Sequence, residues 1–145
     1  LTTVESGGRV SAGVPGVASG TGTLTFTGDL TTAAGSTWLI DIVQDQNGLS
    51  DRIDVGGALA LNGASFLPSF TGAFTVGNVY TLANYGTLTG TFAGLAEGAI
   101  ISNYQISYGS GTGGAITLTA VPEPGTLAIL GGAIGGILWR RRRRS

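Results

Sequence analysis

The chain has 145 residues, 27 of them glycine and 4 proline, and contains no cysteine, histidine, methionine or lysine. That excludes a disulfide framework, a zinc-thiolate site, an iron–sulfur cluster, and Ser-His-Asp or Cys-His catalysis. Charged residues are 10% of the chain and apolar ones 42%, too apolar for a charge-driven disordered chain, and the formal net charge is −1.

That small charge is a sum of two opposed parts. Residues 1–121 carry Arg9 and Arg52 against seven acids, a net of −5, and residues 122–145 carry five arginines against Glu123, a net of +4. The change in charge and texture divides the chain into a body, 1–120, and a tail, 121–145.

Along the body, apolar residues alternate with small or polar ones over short runs, the period-2 pattern of half-buried strands. Thr23-Leu24-Thr25-Phe26-Thr27 is the plainest, followed by Trp38 to Val43, Arg52 to Val55, Ala58 to Asn62, Val79 to Ala83, Tyr104 to Tyr108 and Ala115 to Ala120. Between them lie turn signals: Thr27-Gly28-Asp29, Asn47-Gly48, Gly56-Gly57, Asn62-Gly63, Gly77-Asn78 and Gly109 to Gly114. No stretch of the body carries a sustained helical spacing. The body reads as all-β, and short strands at frequent intervals suit a sandwich, a barrel or a β-solenoid. Abundant Gly and Thr with little charge favour the solenoid. Leu1 is not preceded by an initiator Met or a signal-type segment, so the chain is expected to be the C-terminal part of a longer protein, or a processed one.

Four acids, Asp41, Asp45, Asp51 and Asp54, cluster around Asn47-Gly48. Oxygen ligands at Asp45, Asn47 and Asp51 about a glycine corner make a weak calcium candidate without EF-hand spacing; the same residues also suit a solvated turn with Asx-type caps. Asp41 and Asp54 are expected at outward strand positions. Paired carboxylates serve glycoside chemistry, but only Arg52 is close in sequence and nothing unites a nucleophile, a base and a stabiliser. No catalytic residue and no cofactor are assigned, and the chain is expected not to be an enzyme. Trp38, Tyr80, Tyr85, Tyr104 and Tyr108 read as core, with a sugar-stacking strip as the alternative. The glycine runs Gly20 to Gly22 and Gly109 to Gly114 lack the following Lys or helix start of a phosphate loop and read as linkers or corners.

The succession Gly28-Asp29-Leu30, Trp38-Leu39-Ile40-Asp41-Ile42, Asp51-Arg52-Ile53-Asp54-Val55-Gly56-Gly57 and Ala60-Leu61-Asn62-Gly63-Ala64 resembles the β-repeats of autotransporter passengers. Phe74 to Leu82, Gly90 to Leu95 and Ala115 to Thr119 resemble the last turns of such passengers. The resemblance implies a right-handed parallel β-helix (solenoid) fragment; a β-sandwich-like body is the other architecture the pattern allows. Stalks, adhesins and secreted matrix proteins are common in that group.

The tail begins Val121-Pro122-Glu123-Pro124-Gly125, where two prolines enforce an extended segment open to a protease. An uncharged run follows, with Thr126, Leu127, Ile129, Leu130, Ile134, Ile137, Leu138 and Trp139, read as a short C-terminal hydrophobic helix. Its 14 residues span about 21 Å as a helix against a hydrocarbon thickness of about 30 Å. Arg140, Arg141, Arg142, Arg143 and Arg144 can snorkel, Trp139 suits an interface, and Gly131 and Gly135 fit a small-xxx-small face. The positive-inside rule keeps the arginines cytoplasmic and puts the body across the membrane. An apolar run beside them and an acidic body argue against nucleic acid as their partner; a permanent tail anchor is the simpler alternative to processing.

Pro-Glu-Pro, apolar run and arginine cluster, in that order, resemble the PEP-CTERM sorting signal. The resemblance implies export, transient retention at the inner membrane, and cleavage near Pro122-Glu123-Pro124 by a membrane-embedded exosortase. It also associates the protein with exopolysaccharide and biofilm matrix. The expected protein is therefore an exported structural or adhesive one. The alternatives are a carbohydrate-active β-helix enzyme or a polysaccharide-binding module with its active turns upstream of residue 1.

Overall fold

The structure, a computed structural model, describes residues 1–13, 21–109 and 111–122. These residues are all-β, with thirteen strands and no helix among them. The strands are β1 (Thr2–Val4), β2 (Arg9–Ser11), β3 (Thr23–Phe26), β4 (Leu30–Thr32), β5 (Thr37–Val43), β6 (Arg52–Val55), β7 (Ala58–Ala60), β8 (Ser65–Thr71), β9 (Val79–Asn84), β10 (Thr87–Thr89), β11 (Ile100–Ile101), β12 (Tyr104–Ser107) and β13 (Ala115–Ala120). The predicted hydrophobic helix lies outside the described residues.

Pairing follows a regular rule through β10: each strand lies parallel to the strand three elements later. The result is three sheets, β1-β4-β7-β10, β2-β5-β8, and a third that begins β3-β6-β9. Inward side chains therefore stack on inward side chains. Val10 lies opposite Trp38 and Trp38 opposite Phe66; Leu30 lies opposite Leu59 and Leu59 opposite Leu88. Trp38, Leu30 and Leu59 are fully buried in the resulting core, where burial of each such side chain contributes about 1.5–3 kcal/mol.

The corners explain part of the glycine content. Gly57 N–H donates to Gly28 O at 3.0 Å and Gly86 N–H to Gly57 O at 2.9 Å, so successive corners are hydrogen-bonded backbone to backbone. A Cβ on Gly86 would stand 2.8 Å from Gly57 O, and one on Gly57 2.1 Å from Asp29 Oδ1. Only glycine permits that approach. Asp29 completes the corner by accepting the Ala58 N–H at 2.8 Å.

After β10 the rule changes. β13 pairs antiparallel with β9, β12 with β13 and β11 with β12, extending the third sheet to β11-β12-β13-β9-β6-β3. Phe92 closes the core, edge-on to Trp38 and stacked on Phe66, each at 5.2 Å between ring centroids. Tyr108 Oη donates to Leu95 O at 2.6 Å and accepts the Phe92 N–H at 3.1 Å. Burial pushes the Tyr108 hydroxyl pKa up, the Phe92 N–H pulls it down, and the charge of Glu97 adds to the rise.

Candidate functional site

Most of the residues singled out for chemistry in the body are engaged in contacts within the fold. Asp41 was expected to face outward and is instead buried at 4% exposure. The chain from Gln44 to Asp51 folds back on the second half of β5, with Val43 N–H donating to Leu49 O at 3.0 Å and Asp51 N–H to Asp41 O at 2.8 Å. Asp51 is fully buried and accepts two backbone donors, Gly22 N–H on Oδ1 and Asp41 N–H on Oδ2, both at 2.9 Å. Burial raises its pKa beyond what these two hydrogen bonds take back, and Asp41 adds to the rise.

The calcium candidate does not assemble. Asp51 spends both oxygens on backbone N–H groups, Asn47 Oδ1 accepts the Val79 N–H at 2.8 Å, and Asp45 is exposed beside Gly72. Among the described residues no group of three or more His, Cys, Asp or Glu is placed to hold a metal ion. Asp54 does face outward, held by Arg52 Nε at 2.9 Å and Nη2 at 3.0 Å and by Asn84 Nδ2 at 2.8 Å. Burial alone would raise its pKa; the hydrogen bonds from Arg52 and Asn84 and the guanidinium charge outweigh that and lower it. Arg52 thus neutralises its own strand neighbour.

The aromatic residues form core, which removes them as a surface strip for sugars. Trp38, Tyr80 and Tyr104 are fully buried, and Tyr85 and Tyr108 nearly so. Their hydroxyls are satisfied inside: Tyr80 Oη lies 3.0 Å from both Val43 O and Gln44 O, Tyr104 Oη donates to Gln44 Oε1 at 2.9 Å, and Tyr85 Oη donates to Tyr108 O. The loop after Tyr108 is fastened to the same group, since Gly111 N–H donates to Tyr85 Oη at 3.0 Å. It is a packed corner with no phosphate cradle. An open cavity of about 370 Å³ by Leu1, Thr2 and residues 25–29 holds one acid, Asp29, already engaged at Ala58.

What remains is the place where the body hands over to the tail. β13 ends at Ala120, whose carbonyl accepts the Gly77 N–H and whose N–H donates to Asn78 O, both at 2.8 Å. Val121 N–H donates to Asn103 O at 3.0 Å, in the tight β11–β12 turn where Ser102 and Asn103 have φ of 48° and 67°. Three pieces of chain thus converge where the tail departs: residues 72–78, the turn at 102–103, and Val121-Pro122. Phe74 packs edge-on against Tyr104 at 5.5 Å, and Phe70 stacks on the same ring at 4.9 Å.

Four apolar side chains are exposed around this exit, among polar ones such as Ser102 and Gln105. Phe74 is 37% exposed, Val76 55%, Val79 42% and Ile100 47%. None was assigned a binding role from the sequence; the available signal was an uncharged segment, Gly72-Ala73-Phe74-Thr75-Val76-Gly77-Asn78, in which Phe74 and Val76 sit between glycines. Glu123, Pro124 and the predicted membrane and arginine residues lie outside the described residues. No helix among the described residues is long and apolar enough to cross a membrane.

Comparison with known protein families matches residues 120–143 to the PEP-CTERM protein-sorting motif. The match begins at the last residue of β13, so the boundary between fold and sorting signal coincides with the exit corner. Carrying this motif indicates an exported protein sorted by an exosortase. No curated protein matches the chain.

Proposed function

We propose that the body is the closing part of a parallel β-solenoid and serves as a non-enzymatic structural or adhesive element of the cell surface or extracellular matrix. On this reading the tail holds the protein at the inner membrane until exosortase cuts near Pro122-Glu123-Pro124. The single observation that carries the sorting role is the PEP-CTERM match at residues 120–143. The solenoid reading is supported by the pairing of each strand with the one three elements later and by the Gly28–Gly57–Gly86 corner ladder. The antiparallel β11–β13 unit then acts as a cap, since such stacks need one to bury their last layer.

The body's contribution is stiffness, with hydroxyl-bearing rows for glycan contact. One outward row reads Thr81, Thr117 and Ser107 across β9, β13 and β12. A carbohydrate-active enzyme or a stacking-type sugar module is the weaker reading, because the aromatic residues are interior and the acids are tied to backbone or to Arg52.

The sorting step is tested by fractionating cells with and without exosortase. The protein is expected in the released or surface fraction when the enzyme is present, and in the membrane fraction when it is absent. Release that is unchanged by loss of exosortase contradicts the proposal. Binding of the purified protein to matrix exopolysaccharide, measured by co-sedimentation, separates an adhesive role from a purely structural one.

A further inference from the structure

We infer that the apolar rim around the exit corner, formed by Phe74, Val76, Val79 and Ile100, seats the body on the lipid bilayer while the tail is still attached. The inference rests on the tethered state proposed above and adds a membrane-contacting face to the body itself.

Position is the first argument. Val79, Thr119, Gln105 and Ile100 form one cross-strand row on the outer face of the third sheet, one residue before the Ala120 level at which the chain leaves. Phe74 and Val76 project from the loop hydrogen-bonded to Ala120 through Gly77. The exposed apolar side chains therefore lie where the tail starts.

Reach is the second. Three residues separate Pro122 from Thr126, the first residue of the uncharged run. Even fully extended, that connection spans about 14 Å. Headgroups occupy about 5–8 Å on each side of the hydrocarbon, so the exit corner cannot stand far above them. The apolar run is also shorter than a full span, and a short span is accommodated by local thinning that draws its flanks inward.

Chemistry is the third. Residues 72–78 carry no charge; the exposed Asp45 lies beside Gly72, at the opposite end of that loop from Gly77, which bonds Ala120, and Glu97 is engaged at the far end of β12 with Ser107 Oγ at 3.1 Å and Tyr108 N–H at 3.0 Å. An uncharged rim with an aromatic ring and aliphatic side chains suits insertion at the headgroup–acyl boundary, and needs no anionic lipid. Seated there, the body holds its exit at Val121-Pro122 at the interfacial layer, on the side from which the tail enters the membrane.

The test uses the full 145-residue chain in neutral phosphatidylcholine vesicles. Because the chain has no cysteine, Val76→Cys and, as control, Thr89→Cys on β10 each take a single environment-sensitive fluorophore. Flotation first establishes that the chain associates with the vesicles through its tail. The expected result is a blue shift and loss of emission to a shallow lipid-borne quencher at position 76, with neither at position 89. Adding Phe74→Ser should reduce the quenching at 76. Flotation with equal, unquenched emission at both positions overturns the membrane-facing rim and leaves the tether standing. Failure to float overturns the tether and this inference with it.

Discussion

Asp51 shows how an acid that looks functional in the sequence works as a structural fastening. It joins the chain entering β3 to the middle of β5 by accepting Gly22 N–H and Asp41 N–H. Asp51→Asn turns one acceptor into a donor against a backbone N–H, and the expected cost is about 1–3 kcal/mol, read from the urea midpoint at pH 7. The pH dependence has a definite sign. The folded-state pKa is raised, so this group's contribution is complete below its ordinary value of 3.8 and is lost as pH rises through the folded value. The advantage of the parent over Asp51→Asn should therefore shrink as pH is raised above about 4. Asp54 has the opposite sign: its pKa is lowered, so its contribution is present above 3.8 and is lost as pH falls through the folded value. Arg52 is 43% exposed in that pair, so Arg52→Ala should cost no more than about 1 kcal/mol, while NMR titration finds the Asp54 pKa moved upward. At the alkaline end, burial and the neighbouring Tyr80 push Tyr104 up to about 12. Its contribution is complete below 10 and declines as pH rises toward 12. Tyr104→Phe should flatten that decline, followed by denaturant midpoints alongside tyrosinate absorbance.

Among the elements, the corners and edges are the most exacting. Gly57→Ala would drive a methyl group into Asp29 Oδ1 and the Gly28 backbone; the expected loss is about 1–3 kcal/mol, read from the urea midpoint. Pro68 lies within β8, an edge strand of its sheet. Ser65 N–H donates to Ser36 O, so the odd-numbered residues of β8 face β5 and Pro68 has its missing N–H on the free edge. Restoring the donor with Pro68→Val should increase self-association in light scattering, because proline blunts a strand edge. Strands of four or more residues were legible as alternation at β3, β5, β6, β9, β12 and β13, and the three-residue β7 was found because the alternation runs on past it to Asn62. β1, β2, β4, β10 and β11 are two or three residues long and offer too few inward side chains for a period to register. β8 was hidden by Pro68, a residue that an interior strand would reject. The period of the strand pairing is weakly marked in the sequence because successive layers place different side chains at one inward site, Val10, Trp38 and Phe66. The spacing of Gly28, Gly57 and Gly86 carried it more clearly. Asp41 was misplaced because alternation assumes that one face of a strand meets solvent, and the return of residues 44–51 covers the second half of β5.

For the whole molecule, the small net charge is a balance between an acidic fold and a basic sorting tail. The tail was the most legible part of the sequence because its signal lies in the linear order of proline, apolar and arginine residues and needs no tertiary arrangement. The role of the body was less legible, since short strands of alternating small and apolar residues carry a fold pattern and no linear motif that names a partner. Removal of the tail would leave residues 1–121 with a net charge of −5 and with no arginine beyond Arg9 and Arg52, a change that isoelectric focusing would register as an acidic shift. The most direct test is the intact mass and C-terminal sequence of the protein recovered from outside the cell, set beside the cell-bound form. The account predicts an extracellular C-terminus near Pro122-Glu123-Pro124, with Arg140 to Arg144 present only on the cell-bound form; extracellular protein still ending in Arg144-Ser145 would contradict it.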